Sequence, residues 1–260
     1  MLIRSVGAYL VEGLGHCGAC HTPRGIGFQE QSLHDSDDGR YLSGSAVEGW
    51  FAKNLRNEGL GLATWSEAEI VEFLRTGRTD RVAVFGAMAD VVAHSSRYMS
   101  VDDLSAIAAY LKQLAPQPGG RGAWQRGEDL TTAALRSGTD TSPGALLYVE
   151  QCSLCHRLDG QGAPRIFPSL AGNSIVFAED ARSLIQVTLA GDRMPLTDAD
   201  RMAFAMPAFD HLSDGELAQV LSYVRAGWGN NAGPVSEWDI RRMRAELAHK
   251  PTHHVPEVTP

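Results

Sequence analysis

The sequence predicts an all-α protein made of two tandem copies of one small helical unit, and three observations carry that expectation. Apolar residues at helical spacing recur along the chain, strand signal is nearly absent apart from the short Val82-Ala-Val-Phe85, and the first half of the chain is echoed by the second. Gly7-Ala-Tyr-Leu-Val-Glu12 matches Gly144-Ala-Leu-Leu-Tyr-Val-Glu150, a short apolar helix in each copy. Ile70-Val-Glu-Phe-Leu-Arg-Thr-Gly77 matches Leu184-Ile-Gln-Val-Thr-Leu-Ala-Gly191, and both close on a glycine suited to a helix C-cap. Ser100 to Lys112 aligns without gaps on Ser213 to Arg225; each stretch opens with a Ser-x-x-Asp/Glu capping box before its apolar residues.

Taken in order, residues 1–118 form the first copy, with an insertion at 25–60 predicted as loops plus a helix near 46–56. Pro116, Pro118, Gly119, Gly120 and Gly122 cannot continue a helix, so 119–141 is expected as a linker with one short helix at 127–136. That linker should leave the copies as separately folding units. The second copy is expected at 142–232, and 233–260 as a helix at 235–249 followed by a disordered Pro/His tail.

Composition excludes several classes. The 260 residues are 43% apolar and carry a formal charge of -8 without any Lys/Arg tract, which argues against nucleic acid as a partner. No apolar run approaches the roughly 18 to 20 residues of a spanning helix.

All four cysteines fall in two strings, Cys17-Gly-Ala-Cys20-His21 and Cys152-Ser-Leu-Cys155-His156. This C-x-x-C-H pattern is the attachment signature of c-type haem: two thiols one helical turn apart meet the two vinyl groups of a porphyrin, and the adjacent imidazole meets the iron. Two covalently bound haem c groups are expected. A Cys₄ zinc site would usually bring its two pairs within about 15 to 20 residues, whereas residues 21–151 lie between these. A thioredoxin-like pair would want a βαβ setting that the flanks lack.

The sixth ligand decides the chemistry, since an iron with only its proximal histidine can bind oxygen or peroxide, and one closed by a second protein ligand mainly exchanges electrons. Met88 and Met206 occupy corresponding places before the last helix of each copy and are the expected distal ligands; a thioether there raises the reduction potential. Met99, Met194 and Met202 are competing methionines, more simply core or loop residues, and His94 and His211 offer a bis-histidine alternative.

The strings His16-Cys-Gly-Ala-Cys-His-Thr-Pro-Arg24, Gly61-Leu-Ala-Thr-Trp-Ser66, Gly86-Ala-Met-Ala-Asp-Val-Val92, Phe204-Ala-Met-Pro-Ala-Phe209 and Tyr223-Val-Arg-x-x-Trp-Gly-Asn230 resemble the cytochrome c subunit of membrane-associated bacterial alcohol, aldehyde and sugar dehydrogenases. The resemblance runs from residue 4 to about 245. It implies tandem class I-like cytochrome c domains, haem on Cys17, Cys20, Cys152 and Cys155, proximal His21 and His156, and distal Met88 and Met206. It implies an electron-transfer subunit, not the substrate-oxidising one. The partner is then a dehydrogenase catalytic subunit, a quinoprotein, flavoprotein or molybdoprotein, and the acceptor is a quinone or terminal oxidase.

Such subunits carry three haem domains behind a secretion signal, and this chain resembles the second and third. Bacterial haem attachment takes place outside the cytoplasm, so the expected location is the periplasm, at the inner membrane, although Met1-Leu-Ile-Arg-Ser-Val-Gly-Ala lacks a signal-peptide pattern. A dihaem cytochrome c peroxidase and a free soluble dihaem shuttle are the alternatives.

Lesser candidates follow. In similar cytochromes a backbone carbonyl near Pro23 or Pro168 orients the proximal imidazole. Trp65, Arg24 and Arg165 are candidates for haem propionates. Tyr110 and Tyr223 share a repeat position as core aromatics, and Asp35, Asp37 and Asp38 form a small acidic loop. The terminal helix, with Trp238 and Arg241, suits a docking face or a peripheral membrane contact, or a simple packing role.

Overall fold

The computed structural model describes residues 2–35, 39–118, 120 and 122–249. Asp37, Asp38, Gly119 and the tail 251–260 lie outside the described residues. Helices dominate, and they build two separate cores.

In the first copy, α1 (Leu2–Ala8) runs into a π-helical stretch, Tyr9–Leu14, and the first C-x-x-C-H string forms α2 (Gly18–His21). After β1 (Ser45–Val47) and β2 (Trp50–Ala52) come α3 (Glu67–Thr76), α4 (Ala87–His94) and α5 (Val101–Leu111). The core is Val11, Leu42, Ile70, Leu104, Ile107 and Leu111 with Tyr41 and Tyr110.

The second copy repeats the plan after α6 (Leu130–Ser137): α7 (Pro143–Gln151), α8 (Ser153–His156), α9 (Arg182–Ala190), β3 (Asp192–Arg193), β4 (Ala205–Met206), α10 (Asp214–Ala226) and α11 (Glu237–Ala248). Tyr148, Leu184, Leu217, Leu221, Val224 and Trp228 centre its core. Leu135 of α6 is buried in that core and Trp124 packs on it, so this part of the 119–141 stretch is seated on the second copy.

The first and last helices of each copy cross at a glycine. A Cβ on Gly7 would lie 2.1 Å from the Ala106 carbonyl oxygen and 2.7 Å from the Tyr110 Cβ; on Gly144 it would lie 2.6 Å from the Gln219 carbonyl oxygen and 2.9 Å from the Tyr223 Cβ. The backbones of α1 and α5, and of α7 and α10, approach to a distance that only a missing side chain allows.

Helix ends follow local chemistry. Ser66 and Glu69 close a full capping box on α3, as Ser213 and Glu216 do on α10. On α5 only half the box forms: the Ser100 hydroxyl accepts the Asp103 N–H, and the Asp103 carboxylate takes the Ser100 hydroxyl instead of its backbone N–H. Gly77 (φ 77°) and Gly191 (φ 67°) end α3 and α9 as the repeat predicts.

The helix expected near 46–56 is not formed. β1 and β2 are an antiparallel hairpin with Val47 opposite Trp50. Its two-residue loop, Glu48 (φ 50°) and Gly49 (φ 85°), takes positive φ at both positions, the twist a tight hairpin needs and a helix forbids.

The copies are not the separate units the Pro/Gly stretch suggests. Arg78 of the first, almost fully buried, pairs with Asp200 of the second at 3.3 Å and donates to the carbonyls of Arg165 (3.1 Å) and Met202. Arg165 in turn binds Asp200 at 2.8 Å and Glu72. The Phe51 N–H donates to the Ser183 hydroxyl at 2.7 Å, and Arg97 donates to the Leu196 carbonyl at 2.7 Å. A buried guanidinium demands such partners, so the seam is specific in register.

Candidate haem sites

Each C-x-x-C-H string is one tight helical turn. The His21 N–H donates to the Cys17 carbonyl at 3.0 Å and the His156 N–H to the Cys152 carbonyl at 3.0 Å, which sets both thiols and the imidazole around a single turn. All four thiols are free. Burial pushes Cys17 and Cys152 up to about 11, the opposite of an activated redox dithiol. Among the described residues no three His, Cys, Asp or Glu side chains gather as a metal cluster.

The proximal imidazoles are anchored alike but by different loops. His156 Nδ1 lies 2.9 Å from the Pro168 carbonyl, the arrangement expected of that proline. His21 Nδ1 lies 2.7 Å from the carbonyl of Lys53, just past the hairpin, whereas the Pro23 carbonyl accepts the Gln31 N–H. Burial lowers both histidine pKa values, against the backbone hydrogen bond in each case, so both rings are neutral at pH 7. With Nδ1–H donated, Nε2 keeps its lone pair for a metal. That donor set fits haem c: two thiols and one correctly tautomeric imidazole per turn.

Met88 is the second residue of α4, half-buried, and Met206 lies on β4, half-buried, opposite Asp192. Equal places in the repeat thus carry different local structure. The competing methionines have other occupations: Met99 packs on the first core, Met194 is buried beside the second copy's hairpin, and Met202 is exposed. His94 and His211 are both exposed.

The residues suggested as propionate partners have these protein contacts. Arg24 donates to the carbonyls of Ala19 and Phe28, and Arg165 is taken by Glu72 and Asp200. Trp65 packs edge-on to Phe73 with the Lys53 ammonium 4.8 Å above its ring. The Tyr110 hydroxyl donates to Glu12, and Tyr223 packs on Tyr148 and Trp228. The Lys53 carbonyl, Arg78 and Asp192 escaped the sequence. Lys53 acts through its backbone, and the other two reach across a seam that no local pattern announces.

Two helical copies, each with a carbonyl-anchored histidine closing a C-x-x-C-H turn, define a class of protein. The chain belongs to the cytochrome c family, whose model matches residues 7–115 and 141–228. Membership implies covalently bound haem c. Among curated proteins, the chain is 48% identical over 242 residues to the "Alcohol dehydrogenase (quinone), cytochrome c subunit" of Gluconobacter oxydans, covering 92% of this chain and 50% of that one. It is 42% identical over 246 residues to the "Gluconate 2-dehydrogenase cytochrome c subunit" of Pantoea cypripedii, covering 92% and 56%. It is 31% identical over 263 residues to the "Fructose dehydrogenase cytochrome subunit" of Gluconobacter japonicus, covering 92% and 51%. The chain spans about half the length of these relatives.

Proposed function

We propose that this chain is a two-haem electron relay of a dehydrogenase complex. Cys17 and Cys20 hold one haem and Cys152 and Cys155 the other, with His21 and His156 proximal and Met88 and Met206 distal. A bound haem c supplies one-electron exchange at its iron. The chain's residues do the rest: α2 and α8 space the thiols, and the Lys53 and Pro168 carbonyls fix each imidazole's tautomer and direction. Met88 and Met206 would each supply a thioether to the iron, a ligand that favours the ferrous state and leaves no position for oxygen or peroxide. The observation that carries this proposal is the carbonyl-anchored imidazole at the end of both turns.

Electrons arrive from a catalytic subunit that oxidises an alcohol, aldehyde, sugar or related substrate, and leave to a quinone or terminal oxidase; the names of the relatives, subunits of alcohol, gluconate and fructose dehydrogenases, support a dehydrogenase as the donor. The catalytic subunit is a quinoprotein, flavoprotein or molybdoprotein, and the complex works in the periplasm at the inner membrane. No described helix is long and apolar enough to cross a membrane. Exposed apolar side chains beside the second motif, Leu146, Val149 and Leu154, suit a docking face.

Pyridine haemochrome analysis of the purified chain should count two haems that survive acid-acetone extraction. Alone, the chain should oxidise no alcohol or aldehyde; with its dehydrogenase restored, substrate should reduce both haems. Turnover by the chain alone, or a single haem, would overturn the proposal, and carbon monoxide binding to the unmutated reduced protein would favour the peroxidase.

A further inference from the structure

Asp192 joins the two segments that carry the candidate distal methionines. Its main chain lies on β3 directly opposite Met206 of β4. Its side chain leaves the second copy: Oδ2 accepts the Gly86 N–H of the first at 2.7 Å, while Oδ1 accepts the neighbouring Arg193 N–H at 2.7 Å. Gly86 is the N-cap of α4, and Met88 is the second residue of that helix.

Both ends of this bridge are held. Gly86 has φ 61°, and a Cβ there would come within 2.7 Å of the Trp50 ring, so its backbone lies flat against an aromatic wall. On the other side, the segment between β3 and β4 is gripped by the first copy, through Arg97 on the Leu196 carbonyl and Arg78 on the Met202 carbonyl.

We propose that Asp192 is a positioning residue for the first site, its carboxylate fixing the entry to α4, and hence Met88, against the strand pair that presents Met206. The inference rests on the methionine ligation put forward above. A carboxylate accepting a backbone N–H makes a short, strong bond. Its removal leaves the Gly86 N–H unpartnered and releases the first turn of α4. The balance between bound and released methionine at the first iron should then shift roughly tenfold to a hundredfold toward release. Met206 is paired through the Asp192 main chain, which a side-chain change retains, so the second site should change far less.

The test uses the full chain with its haems in four forms: unmutated, Asp192→Ala, Asp192→Asn, and Asp198→Ala as a control that removes an exposed seam carboxylate bound to Arg97. The methionine-to-iron charge-transfer band and both reduction potentials are measured, with each haem assigned through Met88→Ala and Met206→Ala. Asp192→Ala should weaken the first haem's band and lower its potential while sparing the second. Asp192→Asn, which keeps an oxygen acceptor, should restore most of both, and Asp198→Ala should change neither. An unaltered band and potential in Asp192→Ala would overturn the inference, as would equal losses at both haems or the same loss in Asp198→Ala. Should Asp192→Ala fail to accumulate, Asp192→Glu moves the oxygens by one methylene: a weakened first-haem band supports the inference and a full one overturns it. Absence of the band from the unmutated protein would bring down the methionine ligation together with this inference, whereas a normal band insensitive to Asp192 brings down the inference alone.

Discussion

At each motif the imidazole must be neutral, oriented and open at Nε2, and the chain meets these needs with burial and one carbonyl per ring. What faces it sets the potential. Met88→Ala and Met206→Ala should each open one coordination site and lower one potential, read by redox titration and by carbon monoxide binding to the reduced variant. If Met194→Ala lowered the second haem's potential while Met206→Ala did not, the distal assignment in that copy would move to Met194. The two C-x-x-C-H turns were visible in the sequence because their residues are contiguous. The Lys53 carbonyl was not, because a backbone acceptor has no side-chain signature and lies far along the chain from His21. Arg24 meets the carbonyls of Ala19 and Phe28, and Arg165 meets Glu72 and Asp200, partners that the sequence did not announce.

Between elements, the two helix crossings carry the fold. Gly7→Ala and Gly144→Ala should each destabilise the protein by about 1–3 kcal/mol or more, because the new methyl meets a backbone carbonyl that cannot give way; chemical denaturation measures this. The terminal helix has two faces with different duties. Ile240 and Met243 are fully buried against the second copy, whereas Trp238 is 61% exposed with the Arg242 guanidinium 4.8 Å from its ring. Ile240→Ala should cost about 2–5 kcal/mol in denaturation. Trp238→Ala should leave stability nearly unchanged and, if this face docks the dehydrogenase, reduce co-purification; undiminished recovery of the complex would make the helix purely structural. The helices were legible from their period and caps. The β1–β2 hairpin was not, since its apolar residues also fit a short helix and only the positive φ of Glu48 and Gly49 decides between them.

Across the molecule the seam makes one body of two repeats. Arg78→Ala should destabilise by about 1.5–3 kcal/mol, because it leaves Asp200 with Arg165 as its counter-charge and removes the guanidinium's bonds to the Arg165 and Met202 carbonyls. Burial pushes the Asp200 carboxyl up, but the Arg165 hydrogen bond and the Arg78 charge prevail and hold it below its ordinary value of 3.8. A depressed carboxylate contributes stability that is present above its unfolded pKa and is lost as pH falls through the folded one. The advantage of the unmutated protein over Asp200→Asn in thermal unfolding should therefore be constant above about pH 5 and shrink below about pH 4. An advantage that persisted undiminished into stronger acid would show that the pair contributes through packing and not charge. Replacing Cys152 and Cys155 with Ala should remove one haem and, through this seam, also lower the melting temperature of the first copy.

The C-x-x-C-H turns and the repeat were determined by the sequence alone, because both are written in contiguous residues: a turn of five positions, and helices whose apolar period and capping residues recur. Tertiary structure decided what depends on approach between distant segments. Which carbonyl receives the His21 ring N–H, where Arg78 finds its carboxylate, and the bond from Asp192 to Gly86 all join residues far apart in the chain. A hydrogen bond or ion pair forms at about 3 Å whatever the separation in sequence, so such choices become visible only once packing has brought the two copies together.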